Sequence, residues 1–572
     1  MHARTHEAFA NLRGFNEYYP GEHSNHICRR PRCCGTAREA RMTRPGIDRV
    51  FERRLADLVN RSQTNALQGG LKGLEKESLR VTPSGIISTL PHPRALGSAL
   101  TNEHITTDYS EALLELVTPA FTESWELLQY LCDIHQFVYR HLADELLWAT
   151  SMPCAIKGDA SIPIAQYGSS NVDRMKTVYR NGLGLRYGRV MQAISGVHFN
   201  YSFPAHFWPI LQDLTRTRRG GADFISESYF ALLRNYRRYG WLILYLFGVS
   251  PALCRSFLTG PDADLKPLTR GTLYAPYATS LRMSDLGYRN KSQSGVDISV
   301  NSLDDYIADL SRAISTPHPP YEQLGVKVGG EYRQLNSNLL QIENEYYSFI
   351  RPKRIARSGE RPTKALRRAG VEYVEVRALD VSAFDPVGVN QNKMRFLEAF
   401  LAFCILKDSA PIERAEQPLL DANHVIVARR GREPGLALTR DGRSVSMRAW
   451  AREILDSMHG ICELLDHGDA RRPAAAALAA QAAKLADAAL TPSARLLAEL
   501  ATSGESFFDL ALRFSAEHKS YFLGLYPPNE RRLAEFAAAA AESLDAQSAL
   551  EHADRAPRAT SFDGYLQRYF AD

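Results

Sequence analysis

The chain has 572 residues, of which 45% are hydrophobic and 23% charged, as is typical of a soluble globular protein with one large or two moderate domains. A net charge of +5 and a pI near 8.6 fit anionic ligands better than a dedicated nucleic-acid surface, and we expect no nucleic-acid partner. The most apolar run, 240–254, is interrupted and shorter than the roughly 20 residues of a membrane helix, so we expect a cytoplasmic protein without a membrane partner.

The first 45 residues mix His, Arg, Gly and Pro without apolar periodicity, which predicts a disordered extension and argues against a secretory signal. Met42 precedes a helical pattern that begins near Val50, and it is a candidate start of the natural chain. Three cysteines, Cys28, Cys33 and Cys34, cluster in the extension at a spacing that matches no zinc module. The other five stand singly, so we expect buried thiols and no disulfide framework: Cys132, Cys154, Cys254, Cys404 and Cys462.

The first candidate site segment is 73–81, which places Glu75 and Glu77 two residues apart in an apolar frame. On a strand both side chains point to the same face about 7 Å apart, a separation that suits divalent cations between or beside the carboxylates. The alternative is an exposed strand with both glutamates outward, because short motifs have many false positives.

A turn at 83–85 and an extended return follow, and then comes the acidic segment 106–117. If this segment is extended, Glu111 and Glu115 share a face and Asp108 lies on the loop leading into it; all three are candidate ligands or acids. The alternative is a helix start with Asp108 as its N-cap and solvated glutamates. Residues 123–149 have the apolar stripe of a helix.

Three later segments repeat the alternation of polar and apolar residues, namely 197–203, 340–347 and 371–377. Their polar faces contain His198 in the first, Glu343 and Glu345 in the second, and Glu375 and Arg377 in the third. A sheet with so many carboxylates, a His and an Arg on one face is typical of the wall of an active site, with helices covering its apolar back.

The connecting segments contain further candidates. A long loop, 151–171, leads into a basic helix with Tyr179 and Arg180; another helix is expected over 226–247, and Arg282 and Tyr288 surround a turn. Residues 351–368 contain eight basic groups against one acidic group, which is either a phosphate clamp or a solvated charge run. Beyond Asp380 the chain is predicted to be helical, and no motif there indicates chemistry.

Several carboxylates with a His, an Arg and a basic loop suit two or three Mg²⁺ ions that hold nucleotide phosphates, which indicates a kinase-like or ligase-like site. No Walker loop or dinucleotide fingerprint is present in the sequence, so the nucleotide must be held by metals and by the sheet. A metal-dependent phosphohydrolase and a noncatalytic binding protein remain as alternatives.

Five ordered blocks closely resemble the proteobacterial glutamate–cysteine ligase family: 73–80, 105–108, 195–200, 341–345 and 373–377. The resemblance implies an α+β, glutamine-synthetase-like fold, in which a curved, mainly antiparallel sheet forms a funnel with helices packed outside. It implies one catalytic domain over 46–572, with a mainly helical, Ala-rich subregion at 431–572, and we expect a monomer.

The resemblance also implies ATP and Mg²⁺, with Mn²⁺ as an alternative ion, and the substrates L-glutamate and L-cysteine. It assigns Arg377 and Glu375 to catalysis, and Arg377 with Lys72 to the nucleotide. The residues assigned to metal are Glu75, Glu77, Asp108, Glu115, His198 and Glu375, and those assigned to the amino acids are Tyr179, Arg180, Arg282, Tyr288 and Tyr347. The implied reaction joins the glutamate γ-carboxylate to the cysteine amine through a γ-glutamyl phosphate; a related ligase with another amine acceptor would share every carboxylate.

Overall fold

A computed structural model of the chain describes residues 49–571, except 259, 261, 263, 288–295, 358 and 558. The N-terminal extension with its cysteine cluster, Met42 and the predicted substrate residue Tyr288 therefore lie outside the described residues. None of the helices within the described ranges is long and apolar enough to cross a membrane.

The described chain alternates short strands with many helices. The helices are α1 (Arg49–Asn60), α2 (Ser124–His141), α3 (Asn171–Tyr187), α4 (Arg189–Gln192), α5 (Phe207–Thr215), α6 (Gly221–Tyr239), α7 (Trp241–Phe247), α8 (Leu303–Ser315), α9 (Pro319–Leu324), α10 (Pro362–Ala369), α11 (Gln391–Leu406), α12 (Gln417–Arg430), α13 (Met447–Ser457), α14 (His459–Leu465), α15 (Pro473–Ala486), α16 (Pro492–Ser503), α17 (Phe507–Gly524), α18 (Glu530–Arg555) and α19 (Phe562–Phe570).

The strands are β1 (Leu71–Val81), β2 (Ile105–Thr107), β3 (Leu113–Val117), β4 (Leu146–Leu147), β5 (Gly196–Ser202), β6 (Ala252–Cys254), β7 (Lys266–Pro267), β8 (Thr272–Tyr274), β9 (Lys327–Val328), β10 (Glu331–Tyr332), β11 (Ile350–Lys353), β12 (Tyr373–Asp380), β13 (Ala437–Arg440) and β14 (Arg443–Ser446).

The main sheet has seven strands in the order β11-β12-β5-β1-β3-β2, with β4 beside the end of β1, and every neighbouring pair is antiparallel. The register between β12 and β5 shifts between Val376 and Leu379, and such an irregularity bends a strand. Together with the surrounding helices, this sheet confirms the predicted α+β fold class.

The alternation of β1 separates two faces of different character. Glu75 and Glu77 point to one face, while Leu74 points to the other and joins a large core with Phe199 of β5 and Val376 of β12. Helices α2, α6, α7 and α11 contribute to that same core, which holds the back of the sheet against the helical layer. Burying this apolar face fixes the register, because a one-residue slip would send the glutamates into the core.

The alternation in 340–347 predicts a further strand of this kind, and that prediction is wrong. It forms a loop with one turn of 3₁₀-helix, Glu343–Glu345. Glu345 accepts a hydrogen bond from the Gln341 backbone at 2.6 Å and pairs with Arg186 at 2.9 Å, while Glu343 pairs with Arg361 at 2.9 Å. Both carboxylates thus stabilise the loop and do not line a sheet.

Other boundaries differ in smaller ways from the expectations. The helix expected over 123–149 ends at His141, and the one expected over 226–247 divides at Gly240 into α6 and α7. The C-terminal subregion is mainly helical but includes the β13–β14 hairpin. Cys154 and Cys254, expected as separate thiols, form a disulfide across 100 residues of sequence, whereas Cys132, Cys404 and Cys462 are buried and free as expected.

Candidate active site

The pairing of β1 with its two neighbours brings four predicted ligands together on one face of the sheet. Glu75 lies opposite His198 of β5, and Glu77 lies opposite Glu115 of β3. The Glu75 carboxylate accepts hydrogen bonds from His198 Nδ1 at 3.0 Å and Asn200 Nδ2 at 2.8 Å. His198 also lies 3.9 Å from Glu77 and 4.0 Å from Glu375.

The carboxylates of this cluster differ in charge environment. Burial and the neighbouring Glu375 raise the pKa of Glu75, but the hydrogen bond and charge of His198 outweigh them and bring it below its ordinary value. Burial, followed by the charges of Glu75 and Asp108, raises the pKa of Glu115 well above its ordinary value. Burial likewise raises the pKa of Glu77. The positive groups of the protein therefore do not balance the negative charge around Glu115.

This arrangement suits a divalent cation. Ligand atoms of Glu75, Glu115 and His198 all lie within 4.8 Å of one another, and Asp108 is close enough to raise the pKa of both Glu77 and Glu115. Carboxylate oxygens are the ligands that Mg²⁺ prefers, and a bound cation favours the deprotonated form of each. The residues present thus fit the metal site that the sequence predicts.

A cationic edge borders the carboxylates on the β11–β12 side. Arg377 donates a hydrogen bond to Glu375 at 3.0 Å, and Lys353 of β11 donates to the other oxygen of the same carboxylate at 3.2 Å. Burial raises the pKa of Glu375, but Lys353 and Arg377 outweigh it and hold that pKa well below the ordinary range. Both cations remain partly exposed, so they are available to an anionic ligand.

A small pocket opens beside this edge, and it is lined by His198, Arg282, Tyr347 and Arg377 among others. Arg282 donates to the Arg377 carbonyl oxygen at 3.1 Å and lies 3.8 Å from the buried Asp380. The Tyr347 hydroxyl accepts a hydrogen bond from Gln192 at 2.6 Å. Two predicted substrate residues therefore share one cavity with the predicted catalytic arginine.

Helix α3 positions the other two predicted substrate residues. Arg180 donates to the Asp108 carbonyl oxygen and stacks on the Tyr167 ring, 4.7 Å from its centroid. Burial raises the pKa of Tyr179 well above its ordinary value, and the nearby charges of Glu345 and Tyr347 act in the same direction. The helix is thus fixed against the loop that contains Asp108.

Several other candidates lie away from this cluster. Lys72 points to the opposite face of β1 and pairs with Glu398 at 2.9 Å, so its contacts do not support the predicted role in nucleotide binding. Glu111 accepts hydrogen bonds from the backbone of His92 at 2.7 Å and Gln166 at 2.8 Å, and acts as a structural acceptor. In the basic run, Arg361 pairs with Glu343 and Arg368 with Glu360, so these two do not form a phosphate clamp.

Three residues gain importance only from the structure. Lys353 was one of eight basic groups in its run, and only the antiparallel pairing of β11 with β12 shows that it reaches Glu375. Asn200 lies on the same face of β5 as His198, and only the structure shows that it donates to Glu75. Gly196 lies in the block 195–200 but has no role assigned from the sequence, and a Cβ there would clash with the Arg282 guanidinium.

A family profile and two curated relatives all indicate the same family. The family profile described as glutamate-cysteine ligase matches residues 55–427. A glutamate–cysteine ligase of Alcanivorax borkumensis is 48% identical over 527 residues, which cover 91% of this chain and 99% of that protein. One of Pseudomonas putida W619 is 49% identical over 503 residues, which cover 87% of this chain and 96% of that protein.

A solved structure of a glutamate–cysteine ligase has the same fold as this chain. The glutamate–cysteine ligase of Francisella tularensis, solved in complex with AMP, superposes with a TM-score of 0.81 at 36% identity. The superposition covers 88% of this chain and 98% of that one. The common fold therefore extends well beyond the carboxylate cluster.

Proposed function

The chain belongs to the glutamate–cysteine ligase family, and we propose that it joins the γ-carboxylate of L-glutamate to the amine of L-cysteine while ATP is converted to ADP and phosphate. The observation that best supports this proposal is the convergence of Glu75, Glu115 and His198 beside Arg377 and an open cavity. The use of a nucleotide is further supported by the AMP in the Francisella tularensis structure.

Divalent cations would be held by Glu75, Glu77, Asp108, Glu115, His198 and Glu375. Bound Mg²⁺, or Mn²⁺ in its place, would offset the repulsion between the glutamate carboxylate and the ATP phosphates. The raised pKa values of Glu77 and Glu115 support this assignment, because a bound cation would offset the burial and the neighbouring negative charges that raise them.

The chain itself provides Arg377 for the transferred phosphoryl group. The glutamate γ-carboxylate attacks the γ-phosphorus of ATP, the bond to the β-phosphate oxygen breaks, and ADP and γ-glutamyl phosphate form. Arg377 and Lys353, both held by Glu375, stabilise negative charge on the transferred group. The cysteine amine then attacks the acyl carbon, phosphate leaves with the electrons of the C–O bond, and the amine releases a proton.

The amino acids would be oriented by the cavity and by α3. Arg180 and Arg282 suit substrate carboxylates, because a guanidinium matches that geometry with two parallel donors. Tyr179 and Tyr347 supply aromatic walls, and Tyr288 remains a predicted contact from the sequence. The mostly buried setting of these groups favours exclusion of water, which protects the acyl phosphate from hydrolysis.

The proposal treats 46–572 as one catalytic unit, since the C-terminal helices pack on α2 and α3 through shared apolar clusters. The monomeric state and the cytoplasmic location remain predictions from the sequence.

Product analysis tests the proposal. Purified protein with ATP, Mg²⁺, L-glutamate and L-cysteine should give γ-glutamylcysteine, ADP and phosphate in equal amounts. Phosphate release at an unchanged rate without any amine would replace the ligase with a phosphohydrolase. A faster reaction with another amine than with cysteine would indicate a related carboxylate–amine ligase.

A further inference from the structure

The C-terminal end of the chain packs on the N-terminal end of the predicted substrate helix, in a region that the sequence analysis left without a role. The family profile ends at residue 427, well before α18 and α19. We propose that the last turns of α18, together with α19, position α3 and so set the affinity for the amino acid that Arg180 binds. This inference rests on the proposed function, because it takes Arg180 as a substrate contact.

Two carboxylates of α18 hold the backbone at the start of α3. Glu551 accepts a hydrogen bond from the Ser169 backbone N–H at 3.0 Å, and Asp554 accepts one from the Asn171 N–H at 2.6 Å. The first N–H groups of a helix have no partner within the helix, and negative charge near them is favourable. α18 thus adds an acceptor for the first N–H of α3 and further negative charge beside a helix end that Ser170 and Asp173 also cap.

The same turns of α18 also hold the loop that enters α3. Gln547 donates to the Tyr167 carbonyl oxygen at 2.8 Å, and Arg555 donates to the Ser169 hydroxyl at 3.0 Å. Gly168 lies between Tyr167 and Ser169 with a φ of +124°, and a Cβ there would clash with the side chains of Gln547 and Glu551. The loop is therefore built for close approach of α18.

Tyr167 links this contact to the site. Its ring is the surface on which Arg180 stacks, and its hydroxyl lies 3.1 Å from the carbonyl oxygens of Thr107 and Asp108. Arg180 donates to that same Asp108 carbonyl. A shift of the Tyr167 loop would therefore move the guanidinium relative to the carboxylate cluster.

Helix α19 and the residues just before it also contact α3. Phe562 and Leu566 pack with Met175 of α3 in one apolar cluster, to which Tyr179 is a partly buried neighbour. Arg174 stacks over the Phe562 ring at 4.4 Å, and Asn171 donates to the Thr560 carbonyl oxygen at 2.9 Å. The helix with Tyr179 and Arg180 is thus contacted over its first two turns by α19 and by the residues just before it.

The test compares two double variants of α18. Glu551→Ala/Asp554→Ala removes both contacts to α3, and Glu542→Ala/Asp545→Ala removes two exposed carboxylates from the same helix as a matched control. Arg180→Ala first identifies the amino acid concerned, as the one whose KM rises. Glu551→Ala/Asp554→Ala should raise the same KM at least about fivefold, with the KM for ATP within about twofold of wild type, because two charge contacts at a helix end are lost. The control should match wild type.

The outcomes separate this inference from the proposed function. If Arg180→Ala raises the KM of neither amino acid, the substrate assignment of the proposed function fails and the inference fails with it. A second outcome is that Arg180→Ala raises a KM, whereas Glu551→Ala/Asp554→Ala leaves that KM unchanged and lowers kcat only in proportion to the folded fraction. The contacts of Glu551 and Asp554 would then serve stability alone, and the inference would be overturned while the proposed function stands. Glu551→Gln/Asp554→Asn, which keeps the acceptor oxygens, should recover part of the affinity; a KM no better than that of the Ala variant would contradict the role of these hydrogen bonds.

Discussion

Replacement of Glu115 by Gln removes one negative charge from the most crowded part of the carboxylate cluster while preserving the size of the side chain. Ligand oxygens of Glu115 and Glu75 lie within 4.8 Å. At that distance two full charges repel by about 3.5 kcal/mol at an effective dielectric constant of 20. The Gln amide carries no charge and removes this repulsion, so we expect Glu115→Gln to stabilise the metal-free protein and to raise its Tm by at least about 2 °C.

The pH dependence of this effect has a defined sign. Because the pKa of Glu115 in the folded protein lies well above the ordinary value of 4.5, the folded state binds more protons than the unfolded state as pH rises from 4.5 toward the folded pKa. The stability of the wild type therefore falls as pH rises through that window, and the Gln variant lacks this loss. The Tm difference between variant and wild type should grow with pH.

Differential scanning calorimetry with EDTA and with Mg²⁺ measures both effects. Mg²⁺ should raise the Tm of the wild type and should do so far less in Glu115→Gln. Glu111→Gln is the matched control: its carboxylate accepts hydrogen bonds from two backbone N–H groups, so the variant should lose stability equally with and without Mg²⁺. A Glu115→Gln protein that melts lower than wild type in EDTA, or that Mg²⁺ stabilises fully, would refute the reasoning.

Three further predictions follow from other contacts. Gly196→Ala should fold but lose at least about tenfold in kcat/KM, since its Cβ would displace the Arg282 guanidinium; unchanged steady-state kinetics would show that Arg282 moves without consequence. Hydroxylamine is a small nucleophile that should attack the acyl phosphate in place of the cysteine amine. Arg377→Ala should slow ADP release with cysteine and with hydroxylamine by the same factor, because both reactions need phosphoryl transfer. Unequal factors would contradict the role of Arg377 in that step. Burial lowers the pKa of Lys484 to about 7, so the unfolded state binds more protons between pH 7 and 10.5, and the free energy of unfolding rises with pH in that range. Lys484→Met should reduce this rise by about 1.4 kcal/mol per pH unit in denaturant titrations, and the same pH dependence in variant and wild type would disprove it.

The strands that form the site could be predicted because polar and apolar residues alternate where one face is buried. That pattern located β1, β5 and β12 with Glu75, His198 and Glu375. The same alternation places Lys72 and Glu75 on opposite faces of β1. The sequence pattern itself therefore disfavours a role for Lys72 in binding the nucleotide.

The alternation of polar and apolar residues gave wrong predictions where side chains from other segments determine the structure. In 340–347, Glu345 pairs with Arg186, which lies 159 residues earlier in the sequence, and Glu343 pairs with Arg361, which lies beyond the next strand, so the segment has the alternation of a strand without forming one. Glu111 has the same parity as Glu115, but its carboxylate is used by the backbone of His92 and Gln166. Likewise, no local signal joins Cys154 to Cys254 or the end of the chain to α3.

Isotope transfer tests the central claim, that ATP phosphorylates the γ-carboxylate of glutamate, most directly. L-Glutamate labelled with ¹⁸O in that carboxylate is incubated with ATP, Mg²⁺ and L-cysteine, and mass spectrometry measures the ¹⁸O content of the phosphate and of the nucleotide product. We predict one ¹⁸O atom in each phosphate released, together with ADP and γ-glutamylcysteine. Unlabelled phosphate, or ¹⁸O recovered in AMP, would contradict the acyl phosphate.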